Sequence, residues 1–284
     1  MTTKFTQQEI LPLKTDVGAL GNRINLETRA NHNKVDKMMT LKFALAIRDR
    51  KIYRQGIQMY YHIFKAIEFS LDREFARADS KWAPLLKEIW KPAIARKDRL
   101  FQDLLFYYGE DESKFSNPIL QQQIDFVSHI KKITDTKPYL LLAYMHVMYL
   151  ALFAGGRLFR SKLAHATGLF PKVPGKTMEE VSLQGTNFFR FEVEDEDALR
   201  IAYKRDYELN TRNNLTEAQK LEIIEEAKYI FDKNADCVKE IESHNLKRLR
   251  SKVSYKVAVY GYYSILILSI LVLCYYARRI ILNF

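Results

Sequence analysis

Three groups of residues in this chain have types and spacings suited to chemistry. The first is His32 with Asp36. Four residues apart, they fall one turn apart on the same face of a helix. A carboxylate there can accept the second ring N–H of the imidazole, fixing its tautomer and raising its basicity, which is the support a metal-bound histidine needs. The same pair also fits a core histidine satisfied by its own carboxylate. The second group is the stretch 139–162, YLLLAYMHVMYLALFAGGRLFRSK. It carries no Asp, Glu, Lys or Arg from 139 to 156, and ends on Gly155 and Gly156 followed by Arg157, Arg160 and Lys162. A helix that is apolar all round is buried in a core or a membrane. Each glycine costs such a helix roughly 1 kcal/mol relative to alanine, so the pair marks a kink or the close approach of another group to the backbone. A flat apolar cofactor lying against the glycines accounts for both. A second membrane span is the alternative, since about 20 apolar residues suffice; His146 and the tyrosines inside the stretch count against it. The third group is Arg200 and Lys204, two cations one helical turn apart.

Other chemistry is excluded by what the sequence lacks. None of the six histidines follows a glutamate at three residues, so the di-iron carboxylate pattern is absent. There is no HExxH zinc site and no GxxxxGK[ST] phosphate loop. Gly18 and Gly21 are too closely spaced for a nucleotide fingerprint. His62, His129, His165 and His244 stand alone and read as structural or solvated. With only Cys237 and Cys274, neither a disulfide framework nor a thiolate cluster is available. What remains is an imidazole, an apolar slot with close backbone access, and cations suited to acidic groups. Together these describe a haem site.

The elements that must position these residues read as helices throughout. Ten glycines and seven prolines are few for 284 residues, and 48% of the chain is hydrophobic; this favours long helices with a full core over a turn-rich β fold. Apolar residues recur at three- and four-residue steps from Leu20 to Met39, placing His32 on the inward stripe. Further helices are expected over 41–75, with a basic break at 48–51, and over 82–108 and 117–133. Residues 168–185 read as the main loop. The acidic run 192–197 suits a helix N-terminus, and Thr216 with Gln219 forms a capping-box pattern opening a helix to about 249. Residues 257–277 carry no charge and match the thickness of a bilayer, with tyrosines at both ends. The larger basic cluster precedes them, which orients the bulk of the chain to the cytosol. The net charge of +11 is then in large part a juxtamembrane signal, and nucleic acid is not an expected partner. The organisation expected is a mobile tail (1–17), an all-α domain (18–249), a basic juxtamembrane segment (250–256), a transmembrane tail anchor (257–277) and a short luminal or intermembrane tail (278–284).

At this point the sequence resembles the heme oxygenases, most closely the fungal, tail-anchored ones. The residues that carry the resemblance are TRANHNKVD (28–36), YLALFAGG (149–156), FFRF (188–191) and AYKRD (202–206). It implies an all-α fold with haem b, both substrate and cofactor, held between a proximal and a kinked distal helix. It implies that His32 is the axial iron ligand and that Asp36 replaces the family's supporting glutamate. Gly155 and Gly156 are implied to let the distal helix pass close over haem, and Arg200 and Lys204 to hold its propionates, with Arg29 and Tyr149 as further contacts. Asn25 and His146 stand where animal enzymes have Lys and Tyr near the propionates. Leu152 stands where the animal pattern GDLSGG has the Asp that anchors distal water. The partners implied are O2, a membrane flavoprotein reductase delivering electrons from NADPH, and membrane lipid, with the endoplasmic reticulum favoured over the mitochondrial outer membrane. The activity implied is haem opening to biliverdin, Fe2+ and CO. The alternatives are a haem sensor or sink without turnover, and a haem-free tail-anchored adaptor.

Overall fold

The computed structural model describes residues 12, 16, 18–166, 168–251 and 253–282. The tail expected over 1–17 therefore lies, apart from 12 and 16, outside the described residues. The helices are, in chain order, α1 (Leu20–Glu27), α2 (Arg29–Ala46), α3 (Arg50–Phe75), α4 (Ala83–Ile89), α5 (Lys97–Tyr108), α6 (Gln121–Thr136), α7 (Leu141–Tyr144), a π-helical turn (Met145–Tyr149), α8 (Leu150–Ala164), α9 (Met178–Gln184), α10 (Glu196–Asn214), α11 (Glu217–His244), α12 (Leu246–Ser251) and α13 (Val253–Leu282). No strand occurs among the described residues. The contacts divide the chain into two compact units, one reaching Ile241 and one from Glu242 to Phe284.

Local chemistry sets the helix ends. Asp49 caps α3 by accepting the Lys51 N–H at 3.0 Å, a contact of the kind worth about 1 kcal/mol. Asp195 caps α10 through the N–H groups of Asp197 and Ala198, at 2.8 and 2.9 Å, as the acidic run indicated. The capping box before α11 forms as read: Thr216 N–H donates to Gln219 Oε1 at 2.9 Å, and Gln219 N–H to Thr216 Oγ1 at 3.3 Å. α9 is an element inside the stretch read as loop, opened by a second capping box of Thr177 and Glu180.

The apolar stretch lies in the core of the first unit. Residues 140–149 are all buried, so although Pro138–Ala164 is long and apolar enough to cross a membrane, its place is the protein interior. The expected helix break is not at the glycines. α8 runs through Gly155 and Gly156 without interruption, and the irregularity is the π-turn about two turns earlier. A π-turn inserts an extra residue and strands carbonyls that an α-helix would satisfy. Two tyrosines one turn apart on α10 brace this region: Tyr203 OH donates to Met145 O at 2.8 Å and Tyr207 OH to Leu142 O at 3.1 Å. Both side chains are essentially fully buried, and each such bond contributes about 1 kcal/mol. In the second unit α13 is long and apolar enough to span a membrane over Val259–Tyr276, none of it buried in the protein.

Candidate functional site

α1 and α2 act as one rod. Thr28 departs from helical geometry (φ −96°, ψ 6°), yet Thr28 N–H reaches Ile24 O at 2.9 Å and His32 N–H reaches Thr28 O at 2.8 Å, so the ladder continues. Asn25, Arg29, His32 and Asp36 therefore follow at steps of four, three and four residues along one face. All four are exposed. This corrects the expectation that His32 lies on an inward stripe: the buried positions of the rod's first turns are Leu20, Gly21 and Ile24. The His32 ring sits edge-on to Phe231 of α11 (centroids 5.8 Å, 73°). Among the described residues no hydrogen bond joins it to Asp36 or to any other group, so its nitrogens are open to a ligand. Beside it Asn31 Nδ2 donates to Asp232 Oδ1 at 3.1 Å, tying α2 to α11.

The opposing wall is α8. It meets α2 where Phe159 packs on Phe43, with centroids 4.3 Å apart. Phe188, Phe189 and Tyr60 extend the aromatic surface. A Cβ built on Gly156 would lie in ordinary contact with Phe189 O at 3.7 Å. One on Gly155 would fall 3.3 Å from Cε2 at the edge of the Phe159 ring, close enough that the ring would have to shift slightly. The packing of the protein itself thus does not demand glycine at either position. Gly21 and Gly185 differ: a Cβ there would fall 2.6 Å from Glu208 Oε1 and 2.8 Å from the Phe106 ring. These two are the packing glycines.

Behind α8 lies a buried polar cluster. Tyr149 OH donates to Glu68 Oε1 at 3.2 Å, and Glu68 also accepts the N–H groups of Arg96 (2.6 Å) and Lys97 (3.2 Å) at the start of α5. Burial raises the Glu68 carboxyl above its usual pKa, against these donors. Arg96 is fully buried, its pKa pushed down to about 9 chiefly by burial, and its guanidinium lies 4.1 Å over the Phe191 ring, which stacks on Phe153 of α8. On α11, Asn234 is buried with Oδ1 unpartnered, while its Nδ2 donates to Ile230 O and touches Met148 Sδ at 3.5 Å, one turn before Leu152.

The heme oxygenase family model matches residues 18–240. This chain belongs to the heme oxygenase family. It is similar to the heme-binding protein HMX1 of Saccharomyces cerevisiae, with 42% identity over 270 residues, 89% of this chain and 84% of that one. It is also similar to the heme oxygenase of Pyropia yezoensis, at 27% over 233 residues, 81% and 89% of the two chains. Among solved structures, heme oxygenase-1 of Synechocystis in complex with heme shares the fold (TM-score 0.67, 22% identity, 87% of this chain and 99% of that one). So does the heme oxygenase of Leptospira interrogans (TM-score 0.64, 24% identity, 78% and 98%).

For a heme oxygenase, the structure gives several residues assigned from the sequence defined surroundings. Tyr149 is fully buried, with its OH donating to Glu68. Asp36 is exposed and makes no bond to His32. Arg200 is half-exposed and paired with Asp197 at 3.0 Å, which also holds Arg157 of α8 at 3.1 Å; its charge is partly compensated. His146 is buried and donates from Nε2 to Asn25 Oδ1 at 3.0 Å. Asn25 and His146, 121 residues apart, are the two assigned residues that the structure joins directly. Lys204 is near enough for its charge to act on His146. The sequence reading passed over Asn234, although an asparagine inside the apolar stripe Ile223, Ala227, Ile230, Val238 and Ile241 is a visible signal. A cavity of about 500 Å³ beside Trp82, Leu85 and Asn210 contains none of these residues. Its lining mixes amides, Lys81 and Glu88 with one indole, and holds no histidine.

Proposed function

We propose that this chain is a membrane-tethered heme oxygenase, opening haem to biliverdin, Fe2+ and CO with O2 and with electrons passed from NADPH by a membrane flavoprotein reductase. The observation that supports the reading is that one family match spans both the exposed imidazole of His32 and the glycine pair Gly155 and Gly156 on α8. The residues present fit haem: an exposed imidazole, two adjacent glycines on a continuous helix, an aromatic surface, and the cations Arg29, Arg200 and Lys204. Haem when bound supplies the iron at which O2 is activated. The chain's own part is to bind, orient and exclude. His32 would hold the iron, Asp36 one turn away would support its second ring nitrogen, and the cations would pair with the haem carboxylates. Leu152, buried where the family has Asp, keeps that wall apolar. Asn234 Oδ1, buried and unpartnered one turn away at Met148, supplies an acceptor for an ordered water, which needs two to four polar partners. α13 serves as the anchor, with the first unit in the cytosol, at the endoplasmic reticulum rather than the mitochondrial outer membrane.

The test is haem turnover with NADPH and a reductase, in the protein and in Leu152→Asp. Biliverdin from the wild type supports the reading. Stable haem binding with no biliverdin from either protein overturns it in favour of a haem sink, the reading that Leu152 and the name of the yeast relative favour.

A further inference from the structure

α1 begins without a cap of its own: Ala19 stands at its N-cap position, and no side-chain cap bond is made there. An acceptor arrives from 187 residues away, where Glu208 of α10 takes the Gly21 N–H on Oε1 at 2.8 Å. Gly21 is the second residue of the helix, so this is the bond that an N-cap side chain makes. The Leu20 N–H acts on the same carboxylate, and negative charge is favoured at this end of the helix dipole. Glu208 is 8% exposed, and a hydrogen bond to a charged group gains strength out of water.

Gly21 and Glu208 explain one another. A Cβ at position 21 would fall 2.6 Å from Oε1 and 3.0 Å from the His146 ring, so glycine is what leaves the carboxylate room to reach the backbone. The bond from Glu208 is buried, whereas Arg23–Glu217 and Asn31–Asp232, which tie the α1–α2 rod to α11, are exposed. Exposed ties of this kind contribute little. The ladder is continuous through Thr28, so a bond at Gly21 sets the line of the rod as far as His32, about three turns on. On its own helix Glu208 follows Arg200 and Lys204 at steps of four, along one face.

Resting on the proposed function, we infer that Glu208 is a positioning residue for His32: it caps α1 from α10 and so fixes the imidazole-bearing rod to the helix that carries Arg200 and Lys204. It acts through His32 and does not itself meet the ligand.

The test follows two properties of the haem-loaded full chain, the iron–imidazole stretching band of the ferrous state and the rate of haem loss to an apoglobin acceptor. The melting midpoint of the haem-free chain is read beside them. Glu208→Ala is expected to shift or broaden the band and to speed haem loss about fivefold, the usual worth of one N-cap. Gly21→Ala, whose methyl group displaces the flexible carboxylate, should do the same, and the double variant no more. Glu208→Gln keeps an acceptor for the Gly21 N–H and should restore most of both properties. Asp49→Ala removes the cap of α3 instead; it should lower the midpoint and leave the band in place. A band unmoved in Glu208→Ala and Gly21→Ala, with only the midpoint lowered, would make Glu208 a structural cap and overturn the positioning role. Additive losses in the double variant, or no recovery in Glu208→Gln, would overturn it as well. A wild type that binds no haem removes the proposed function and this inference together; a wild type that binds it through an imidazole, with variants that match it, removes this inference alone.

Discussion

His32 makes no hydrogen bond among the described residues, and its ring only borders Phe231. Removing it should therefore cost the haem-free fold almost nothing, within about 0.5 kcal/mol as for other surface changes. His32→Ala is expected to keep its thermal midpoint while losing the absorption signature of imidazole-bound haem; a large fall in the midpoint would return His32 to a structural role. His62 and His146 behave in the opposite way. Burial lowers their folded-state pKa from the usual 6.5 to about 4 and about 3. The unfolded chain takes up these protons near 6.5 and the folded chain only far below it. The stability they contribute is thus complete above pH 6.5 and is lost as the pH falls toward about 4, by up to about 1.4 kcal/mol per pH unit for each ring. Urea midpoints should accordingly fall between about pH 7.5 and about pH 5, and less steeply in the His62→Phe, His146→Phe double variant. Equal slopes in the two proteins would contradict neutral burial.

At the scale of elements, the glycine pair separates folding from function. α8 is continuous through Gly155 and Gly156, and neither position crowds protein backbone. Alanine at either site should leave the haem-free protein as stable or more stable by up to about 1 kcal/mol, because glycine is the poorer helix former. The same substitutions should weaken haem binding, since a methyl group would stand where the flat ligand lies. Melting and haem titration of Gly155→Ala and Gly156→Ala check both halves, and unaltered haem affinity would remove the distal assignment. The helices and their caps were legible in the sequence because periodicity and capping are local: the turn at 48–51, the Asp195 cap and the Thr216 box all lie within a few residues of what they organise. The π-turn was not. It sits in a run so uniformly apolar that no periodicity marks an inserted residue, and the tyrosines that bond to Met145 O and Leu142 O come from 58 and 65 residues away. The same holds for the site. The types His32, Gly155 and Gly156 were readable, whereas the burial of Tyr149 on Glu68 and the bond from His146 to Asn25 depend on contacts across the fold.

At the scale of the molecule, the two helices apolar enough to cross a membrane have opposite surroundings. Pro138–Ala164 is mostly enclosed by protein, and Val259–Tyr276 is bare. Deleting residues 256–284 should give a soluble protein that still binds haem, because every candidate binding residue lies before Ile241. Retention of the truncated chain in carbonate-washed membranes would contradict this and make the core helix a span. The central claim is that this fold opens haem as well as binding it. The most direct measurement is a single turnover of the haem-loaded, tail-deleted protein with reductase and NADPH, counting biliverdin and CO against haem consumed. The expected result is one biliverdin and one CO for each haem lost; haem that persists, or that bleaches without CO, would contradict the claim.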